Sequence, residues 1–323
     1  MKAMIRDGYG SPEVLRFEDV GKPTPGPGEV LVRVRAASLN TADLEHLRGT
    51  PFVARIGTGL MKPRARVPGF DMAGEVESVG EGVSCRATGD RVWADLFSSG
   101  SGAFAEYVCA SAAAFSPVPT GVSFEEAAAV PHSGVLALQG LSGMGGFRAG
   151  QHVLINGAGG CVGPFAVQIA KARGAEVSAV DHTDKLGMLR ALGADHVIDY
   201  TRESFTRSGR RYDFILDIAP NRWVLACRGA LRPGGRYVQI ARRLGGFFQA
   251  AALGGLVSLA SDVRMGVFGW QPNAPGSMAE MSALVASGDV RPLIGRVYPL
   301  ESVPDALGFL ESGRALGKLV VTV

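Results

Sequence analysis

Four glycines stand between an apolar run and an amphipathic segment, and their spacing could hold a phosphate group. Residues 153–156 predict a short buried strand, and residues 164–173 have the pattern of a helix. The glycines between them are Gly157, Gly159, Gly160 and Gly163. Glycine lets the backbone turn sharply and approach a pyrophosphate, while the helix N-terminus offers unpaired N–H groups.

An acidic residue follows at the distance that a dinucleotide site requires. Residues 176–180 predict a second strand, which Asp181 closes. Strand, glycine turn, helix, strand and acid is the order that binds a dinucleotide, with the acid on the ribose. The alternative is a tight strand–helix turn without a ligand. The predicted contacts of the turn are Gly157, Ala158, Gly159, Gly160, Cys161, Val162 and Gly163.

Composition limits the other possibilities. A chain of 323 residues favours two domains, and 46% hydrophobic with 20% charged residues is typical of a soluble globular protein. The net charge of +3 is too small to favour nucleic acid as a partner. The four cysteines have neither metal-knuckle spacing nor a disulfide pattern, and the N-terminus has no signal-peptide core. We therefore expect a cytoplasmic protein.

An uncharged segment, residues 244–261, challenges this interpretation because it has about the minimum length of a membrane helix. It contains several glycines and a glutamine, and charged residues follow at once. We expect no membrane span but a helix packed over a cleft or against a partner subunit. Peripheral membrane contact is the alternative.

The hydrophobic pattern changes along the chain and divides it into two parts. The first part alternates like half-buried strands, and from about residue 123 short apolar runs alternate with helical stretches. The early strands are predicted at residues 29–38, 74–79, 90–94 and 103–108, and the later ones at 195–200, 212–217 and 235–240. Strands that alternate with helices predict a parallel, doubly wound sheet, so the fold class is α/β with a second, β-rich domain.

Ordered motifs along the whole chain resemble the medium-chain dehydrogenase/reductase superfamily, in particular its zinc-independent branch of quinone oxidoreductases and enoyl reductase-like proteins. The motifs are residues 37–43, 67–75, 89–92, 102–107, 127–131, 192–200 and 317–320, besides the glycine turn. The resemblance implies a GroES-like domain of residues 1–120 and 271–323 and a Rossmann domain of residues 121–270. It also implies an active site in the cleft between them and, commonly, a homodimer.

The zinc ligands of the metal-dependent relatives are replaced in this chain. Asn40 stands where those relatives have cysteine, and their Gly-His-Glu becomes Gly69-Phe70-Asp71. The cysteine lobe of the structural zinc site is missing. Asp43, Asp71 and His132 could be proposed as ligands, but Asp43 could cap a helix that starts near Leu44, and His132 follows Pro131 in a helical segment. We expect no catalytic zinc.

Without a metal, the resemblance implies hydride transfer to an electrophile that spreads negative charge by itself. A quinone or a conjugated enone does so, and a protein then needs only to orient it and donate a hydrogen bond. Asn40 is the candidate catalytic donor, with a turn-forming asparagine as the alternative. Ala219 and Ile240 follow two strands and should line the nicotinamide. Substrate contacts are predicted at Phe52, Phe247, Phe268 and Trp270, where ordinary core packing is the alternative.

The choice between the two nicotinamide cofactors is open in the sequence. Asp181 favours NADH because its charge would repel a 2′-phosphate by about 4 kcal/mol at 4 Å and an effective dielectric of 20. By resemblance, Lys185 and Tyr200 match positions that contact this phosphate in NADPH-dependent quinone reductases. His182 and Thr183 could add hydrogen bonds. We favour NADPH, with Asp181 turned aside.

Other functions stay open beside this one. An NAD(P)-dependent alcohol dehydrogenase-like enzyme and a pathway-specific reductase differ from it in substrate. A crystallin-like or RNA-interacting NADPH-binding protein would lack catalysis.

Overall fold

The computed structural model describes the backbone of residues 1–240 and 244–323, and the side chains of residues 1–240 and 250–323. These residues form two compact units. The first comprises Met1–Val135, Pro272–Ser287 and Pro292–Val323, and the second comprises Leu136–Gln271 and Gly288–Arg291. The domain limits expected from the sequence, at 120/121 and 270/271, stay predictions.

The strands alternate with helices mainly in the middle of the chain. The strands are β1 (Lys2–Ile5), β2 (Arg16–Asp19), β3 (Glu29–Leu39), β4 (Asp71–Val79), β5 (Arg91–Asp95), β6 (Tyr107–Ser111), β7 (Ser116–Pro117), β8 (His152–Asn156), β9 (Glu176–Asp181), β10 (His196–Asp199), β11 (Tyr212–Asp217), β12 (Leu231–Gln239), β13 (Arg264–Val267), β14 (Ile294–Pro299) and β15 (Lys318–Thr322). The helices are α1 (Thr41–Arg48), α2 (Arg55–Thr58), α3 (Phe124–Ala128), α4 (Pro131–Ser142), α5 (Gly163–Ala172), α6 (Leu186–Ala191), α7 (Val224–Gly229), α8 (Leu244–Ala260), α9 (Pro275–Ser287) and α10 (Val303–Glu311).

The first unit is built on a mixed sheet. Its strand order is β14-β15-β3-β4-β5-β7, and β6 pairs with the N-terminal half of β3. Only β14 and β15 run parallel to each other among these pairs. The apolar residues of β3 are buried because this long strand lies at the centre of the sheet. Its C-terminal end, at Leu39, leads directly into α1.

The second unit is a six-stranded parallel sheet in the order β10-β9-β8-β11-β12-β13. This is the doubly wound order, in which the chain reverses direction across the sheet between β8 and β11. All five residues of β8 are buried, as expected of a strand covered on both faces. The α/β class and the separate β-rich domain, which is the first unit, are thus confirmed. The loops at the carboxyl ends of β8 and β11 lie beside the reversal.

Three predicted strands had wrong limits. Residues 103–106 were predicted as strand, but β6 begins at Tyr107. Ala103, Phe104 and Ala105 are buried nonetheless, and Phe104 bonds through its backbone to Pro68 and Met4 in loop connections. Burial of an irregular segment therefore gave the apolar pattern of a strand. The other two begin earlier than predicted, β12 at Leu231 rather than near residue 235 and β4 at Asp71 rather than at residue 74.

The uncharged segment forms α8, as predicted. None of the helices in the described part of the chain is long and apolar enough to cross a membrane.

Candidate functional site

The glycine turn lies at the carboxyl end of β8, beside the reversal of the sheet. Gly157 has a φ of 80°, a conformation that residues with a Cβ rarely adopt. Its N–H and that of Ala158 both donate to the carbonyl of Val180 at 3.0 Å. A Cβ at position 157 would lie 2.7 Å from the Cβ of Ala219, so two of the predicted cofactor contacts touch here. Helix α5 then begins at Gly163.

Asp181 and Lys185 clasp the middle of the turn. The carboxylate of Asp181 accepts hydrogen bonds from the N–H groups of Gly159, at 2.7 Å, and His182, at 2.8 Å. The ammonium of Lys185 donates to the carbonyl of Gly159 at 3.1 Å and lies 4.0 Å from the Asp181 carboxylate. Both oxygens of Asp181 are therefore engaged with the backbone. The sequence placed Asp181 near a ribose but did not indicate that it braces the turn.

Three other predicted cofactor residues cluster at the ends of β9 and β10. The hydroxyl of Thr183 donates to Asp199, and the rings of His182 and Tyr200 lie 6.1 Å apart. Tyr200 is 43% exposed, so part of its side chain reaches solvent. Hydrogen bonds from Thr183 and Thr201 lower the pKa of Asp199 to about 2. The sequence did not single out Asp199, although an acid at a strand's carboxyl end was a usable signal.

A buried polar network underlies the loops that follow β11 and β12. Asn156 donates through Nδ2 to Asp217 at 2.8 Å and to the carbonyl of Ala219 at 3.0 Å. The hydroxyl of Tyr237 donates to Asp217 at 2.8 Å. Burial raises the pKa of Asp217 to about 6, against the hydrogen bonds that it accepts. The network fixes the loop that carries Ala219.

The remaining predicted cofactor residues differ in their burial. The N–H of Ile240 donates to the carbonyl of Asp217 at 3.0 Å, and its side chain is buried. Val162 is buried, whereas Cys161 and Gly160 are partly exposed. Of the predicted cofactor residues, the structure thus gathers those on the turn and at the ends of β9 to β12 along one edge of a single sheet.

Asn40, the candidate catalytic residue, lies in the first unit within a fully buried cluster. Its Oδ1 accepts hydrogen bonds from Lys318 Nζ at 2.6 Å and from Ser133 Oγ at 2.9 Å. Its Nδ2 donates to Asp71 Oδ2 at 2.9 Å, and Lys318 Nζ contacts the same oxygen at 3.0 Å. The ammonium of Lys318 therefore contacts the oxygen of the Asn40 amide, and the carboxylate of Asp71 accepts from its nitrogen. The lysine belongs to the quoted motif 317–320, but nothing in the sequence indicated its partners.

His132 extends this cluster. Its backbone N–H donates to Asp71 Oδ1, and its Nδ1 lies 2.8 Å from Asp95 Oδ2. Burial disfavours the imidazolium, but the charge and hydrogen bond of Asp95 outweigh burial and raise the pKa of His132. Asp95 is itself anchored, because its N–H donates to Asn273 Oδ1.

Asp43 is the third buried acid of the cluster. Helix α1 begins at Thr41 with Asn40 as its N-cap, so the expected start near Leu44 was wrong and Asp43 is the third helical residue. Asp43 Oδ2 accepts from the N–H of Asn40 at 2.7 Å, while within the described part of the chain its Oδ1 has no hydrogen-bond partner. Burial, with a contribution from Asp71, raises the pKa of Asp43 to about 7.

The predicted substrate residues have different environments. Phe52 is 66% exposed, and the guanidinium of Arg55 lies 5.2 Å from its ring. Phe268 and Trp270 follow β13 and are partly buried. The side chain of Phe247 lies outside the described residues. Phe52, Phe268 and Trp270 are thus not fully buried within their own units. Substrate contact at these residues stays a prediction.

Comparison with known families matches both parts of the chain. Residues 26–120 match the family described as "Alcohol dehydrogenase GroES-like domain". Residues 192–321 match the family described as "Zinc-binding dehydrogenase".

Individual relatives match the whole chain. It is 33% identical to the zebrafish (Danio rerio) protein "NAD(P)H oxidoreductase RTN4IP1, mitochondrial", over all of the chain and 91% of that protein. It is 32% identical to "2-methylene-furan-3-one reductase" of Solanum lycopersicum, over 99% of the chain and 79% of that protein. Among solved structures, the quinone oxidoreductase from Coxiella burnetii superposes with a TM-score of 0.88 at 29% identity, over 100% of the chain and 99% of that structure.

Proposed function

The chain belongs to the medium-chain dehydrogenase/reductase superfamily, and on that premise we propose that it is an oxidoreductase that transfers hydride from a nicotinamide dinucleotide to a quinone or to the conjugated double bond of an enone. The names of the relatives support this reaction. The substrate named for the tomato relative has a double bond conjugated to a ketone, and the Coxiella protein is named for quinones.

The glycine turn supports dinucleotide binding. Among the described residues, only the carbonyl oxygen of Gly157 lies within 4 Å of a hypothetical Cβ at Gly160, at 3.7 Å, which leaves this face of the turn open to a ligand. The first N–H groups of α5 are available to a pyrophosphate, since a helix leaves its first turn of donors unpaired. We propose the turn residues 157–163, with Ala219 and Ile240, as the cofactor contacts. The bound nicotinamide supplies the hydride.

We propose NADPH as the preferred cofactor. The carboxylate of Asp181 is committed to two backbone N–H groups, which holds it toward the turn. Lys185 lies beside it and offers a positive charge, while His182, Thr183 and Tyr200 surround the end of the two strands. A 2′-phosphate here would meet Lys185 as its counter-charge. NADH stays the alternative because the charge of Asp181 is not neutralised by a close ion pair.

The residues at the position of the catalytic zinc do not fit a metal ion. Asn40, at the first ligand position of the zinc-dependent relatives, and Asp71, in the segment that replaces their Gly-His-Glu, both contact the ammonium of Lys318. A buried ammonium within 3.0 Å of both donor oxygens already supplies the positive charge and would repel a divalent cation. Phe70, which stands where that segment has histidine, cannot coordinate a metal. This contact of Lys318 with Asn40 and Asp71 is the observation that carries the proposal of zinc-free chemistry.

We propose that Asn40 donates a hydrogen bond to the substrate carbonyl. One N–H of its Nδ2 is given to Asp71, and an amide nitrogen has a second. Hydride arriving at the β-carbon of an enone, or at a quinone, leaves negative charge on the oxygen. A preorganised donor stabilises this charge more than it stabilises the ground state. Conjugation spreads the rest of the charge, so no metal is required.

The experiment is oxidation of the reduced cofactor by protein that has been dialysed against a chelator and analysed for metals. The acceptors are a benzoquinone, a linear alkenone and, as a control, the saturated ketone of the same length. We expect turnover with the conjugated acceptors, none with the saturated ketone, and no gain on adding Zn²⁺. Failure to bind either reduced cofactor would overturn the proposal, and activity that depends on Zn²⁺ would overturn its metal-free form.

We also propose a cytoplasmic homodimer that forms through the second unit. β13 is an edge strand of the parallel sheet, and Leu256 and Leu259 of the neighbouring α8 are 62% and 87% exposed. Residues three apart share a helix face, so these leucines form an apolar surface that a second copy could cover. Light scattering on wild type and on Leu259→Glu tests this arrangement, since a monomeric wild type would contradict it.

A further inference from the structure

Three potential metal ligands begin three neighbouring strands of the second unit. His152 is the first residue of β8, Glu176 of β9 and His196 of β10. These strands are adjacent and parallel, so their first residues meet at one edge of the sheet. His152 and Glu176 are direct partners in the register. This end of the sheet lies opposite the glycine turn, which follows the other end of β8. The five residues of β8 span roughly 13 Å between the two.

The three side chains converge. One ligand atom from each residue lies within 4.8 Å of the other two, and Nε2 of His196 is 2.7 Å from Oε1 of Glu176. The two imidazole rings lie 5.7 Å apart. Ligands of a tetrahedral Zn²⁺ are about 3.3 Å apart at bond lengths of 2.0–2.1 Å. The side chains of Glu176 and His196 are 48% and 36% exposed, so both can make the small adjustment that is needed.

His152 is held in place by contacts with two neighbouring side chains. Its ring packs edge-on against Tyr212 at 4.8 Å, and its Nε2 is 2.8 Å from the hydroxyl of Ser178, two residues beyond Glu176. With Nδ1 left to a metal, the N–H at Nε2 would donate to the hydroxyl oxygen of Ser178, which is the kind of contact that orients a metal-binding histidine.

We propose that His152, Glu176 and His196 form a binding site for a divalent transition-metal cation, Zn²⁺ or one of similar ligand preference, with water completing the coordination. Two imidazoles and one carboxylate are donors that suit Zn²⁺ and do not suit Mg²⁺ or Ca²⁺. Two pairs of charged side chains near the site are engaged with each other and not with the three ligands. Arg232 is paired with Asp213 at 2.7 Å, and Asp195 is paired with Lys171 at 2.7 Å. Arg210 is the remaining cation that acts on His152.

A metal at this place would tie together three strands of the sheet. It would lie at the opposite end of β8 from the glycine turn, so we treat it as independent of the proposed hydride transfer. A ligand that binds only the folded state stabilises that state, so the metal should stabilise the second unit toward unfolding.

The experiment is Zn²⁺ titration by calorimetry on chelator-treated protein, together with thermal unfolding with and without Zn²⁺. We expect one Zn²⁺ per chain at this site and a rise in unfolding temperature of roughly 5 °C at a hundredfold excess over Kd. Mg²⁺ should produce neither effect. Glu176→Gln and His196→Gln should each weaken Zn²⁺ binding on the order of tenfold or more.

The matched control is His182→Gln, which removes a partly exposed histidine that also has a carboxylate beside it, Asp184 at 3.2 Å. It should leave the Zn²⁺ affinity unchanged. The unfolding temperature of each variant without metal shows that it is folded. Absence of Zn²⁺ binding in wild type, equal affinity in the two site variants and wild type, or loss of affinity in His182→Gln would each overturn the proposal.

Discussion

The ammonium of Lys318 lies 2.6 Å from the amide oxygen of Asn40, and this contact determines which way the amide points. An ammonium can only donate hydrogen bonds, so the atom that faces it must be the oxygen. The amide nitrogen is consequently directed to Asp71. A residue contributed by the last strand thus fixes the donor direction of a residue at the start of α1.

Lys318→Met tests this positioning role. The substitution removes the charge but keeps most of the volume, so the Asn40 amide loses the ammonium that holds its oxygen. Its direction is then held only by Asp71 and Ser133, and therefore less firmly. We expect kcat with an enone to fall by up to about 100-fold, the scale of losing one oxyanion donor. The dissociation constant of the cofactor should change little. Because the variant leaves Asp71 buried without its cation, unfolding free energy should also fall by about 3–5 kcal/mol.

The double variant Asp71→Asn/Lys318→Met separates positioning from stability. Both charges are then gone, so much of the lost stability should return. The amide introduced at position 71 could donate as well as accept, so the Asn40 amide would still lack a fixed direction and kcat should stay low. Recovery of kcat together with stability would show that Lys318 acts only on the fold.

Asp43 makes a second prediction, on the pH dependence of stability. Its carboxyl has a pKa of about 7 in the folded chain, against an ordinary value near 3.8. Between these values the folded state holds a proton that the unfolded state has lost. Stability from this group is therefore full below about pH 4 and declines until about pH 7. The total is on the order of 4 kcal/mol, at 1.4 kcal/mol for each tenfold change in acidity.

Asp43→Asn should remove this dependence, because an amide resembles the protonated acid. Chemical denaturation of both proteins from pH 4 to pH 8 measures it. The stability of the variant relative to wild type should rise up to about pH 7 and then level off. Asp7→Asn is a control that should show no slope in this range, since hydrogen bonds from Arg16 and Arg66 lower the pKa of Asp7 from its ordinary value near 3.8. Stability contributed by Asp7 is lost only as pH falls below about 4, so parallel curves for the two variants from pH 4 to pH 8 would contradict our assignment.

The sequence predicted the second unit better than the buried cluster of the first. The glycine turn and its acid lie within about 25 residues of each other, so local spacing was enough to predict them. Asn40, Asp71, Ser133 and Lys318 are brought together by β3, β4, α4 and β15, which are distant in the chain. No local pattern reports such an assembly. The resemblance identified Asn40, but the partners that orient it required the structure.

A similar limit applies within the second unit. The sequence placed Asp181 at the end of a strand, where an acid accepts from a ribose. It did not show that both carboxylate oxygens already accept backbone N–H groups. The side chain is fixed by the turn that it braces, and only the folded geometry reveals that competition.

Cofactor preference gives a third prediction. Asp181→Asn can still accept the N–H of Gly159 but removes the negative charge beside the proposed 2′-phosphate. We expect NADPH to bind on the order of tenfold more tightly, with NADH affected less. Lys185→Met should shift the ratio of the two affinities the other way. The dissociation constants of both reduced cofactors, measured by fluorescence, check this. An unchanged ratio in Lys185→Met would place the phosphate elsewhere.

Gly159→Ala gives the fourth prediction, which concerns the turn itself. The added Cβ would lie 2.5 Å from Cδ of Lys185 and 3.0 Å from Cγ of Asp181, so both side chains must move. Their hydrogen bonds to the backbone of Gly159 would weaken, and the turn would lose its brace. We expect cofactor affinity to fall by about tenfold or more while unfolding free energy falls by only about 1 kcal/mol, since flexible side chains can adjust.

The matched control for this substitution is Gly187→Ala, which lies in α6 with no atom within 4 Å of its hypothetical Cβ. Alanine favours a helix, so this variant should gain about 0.5–1 kcal/mol of stability and bind the cofactor as wild type does. Cofactor titration and denaturation of both variants check the pair. If Gly159→Ala bound the cofactor as tightly as Gly187→Ala, the clasp of Asp181 and Lys185 would be irrelevant to the dinucleotide. The glycine at 159 would then serve only the backbone turn.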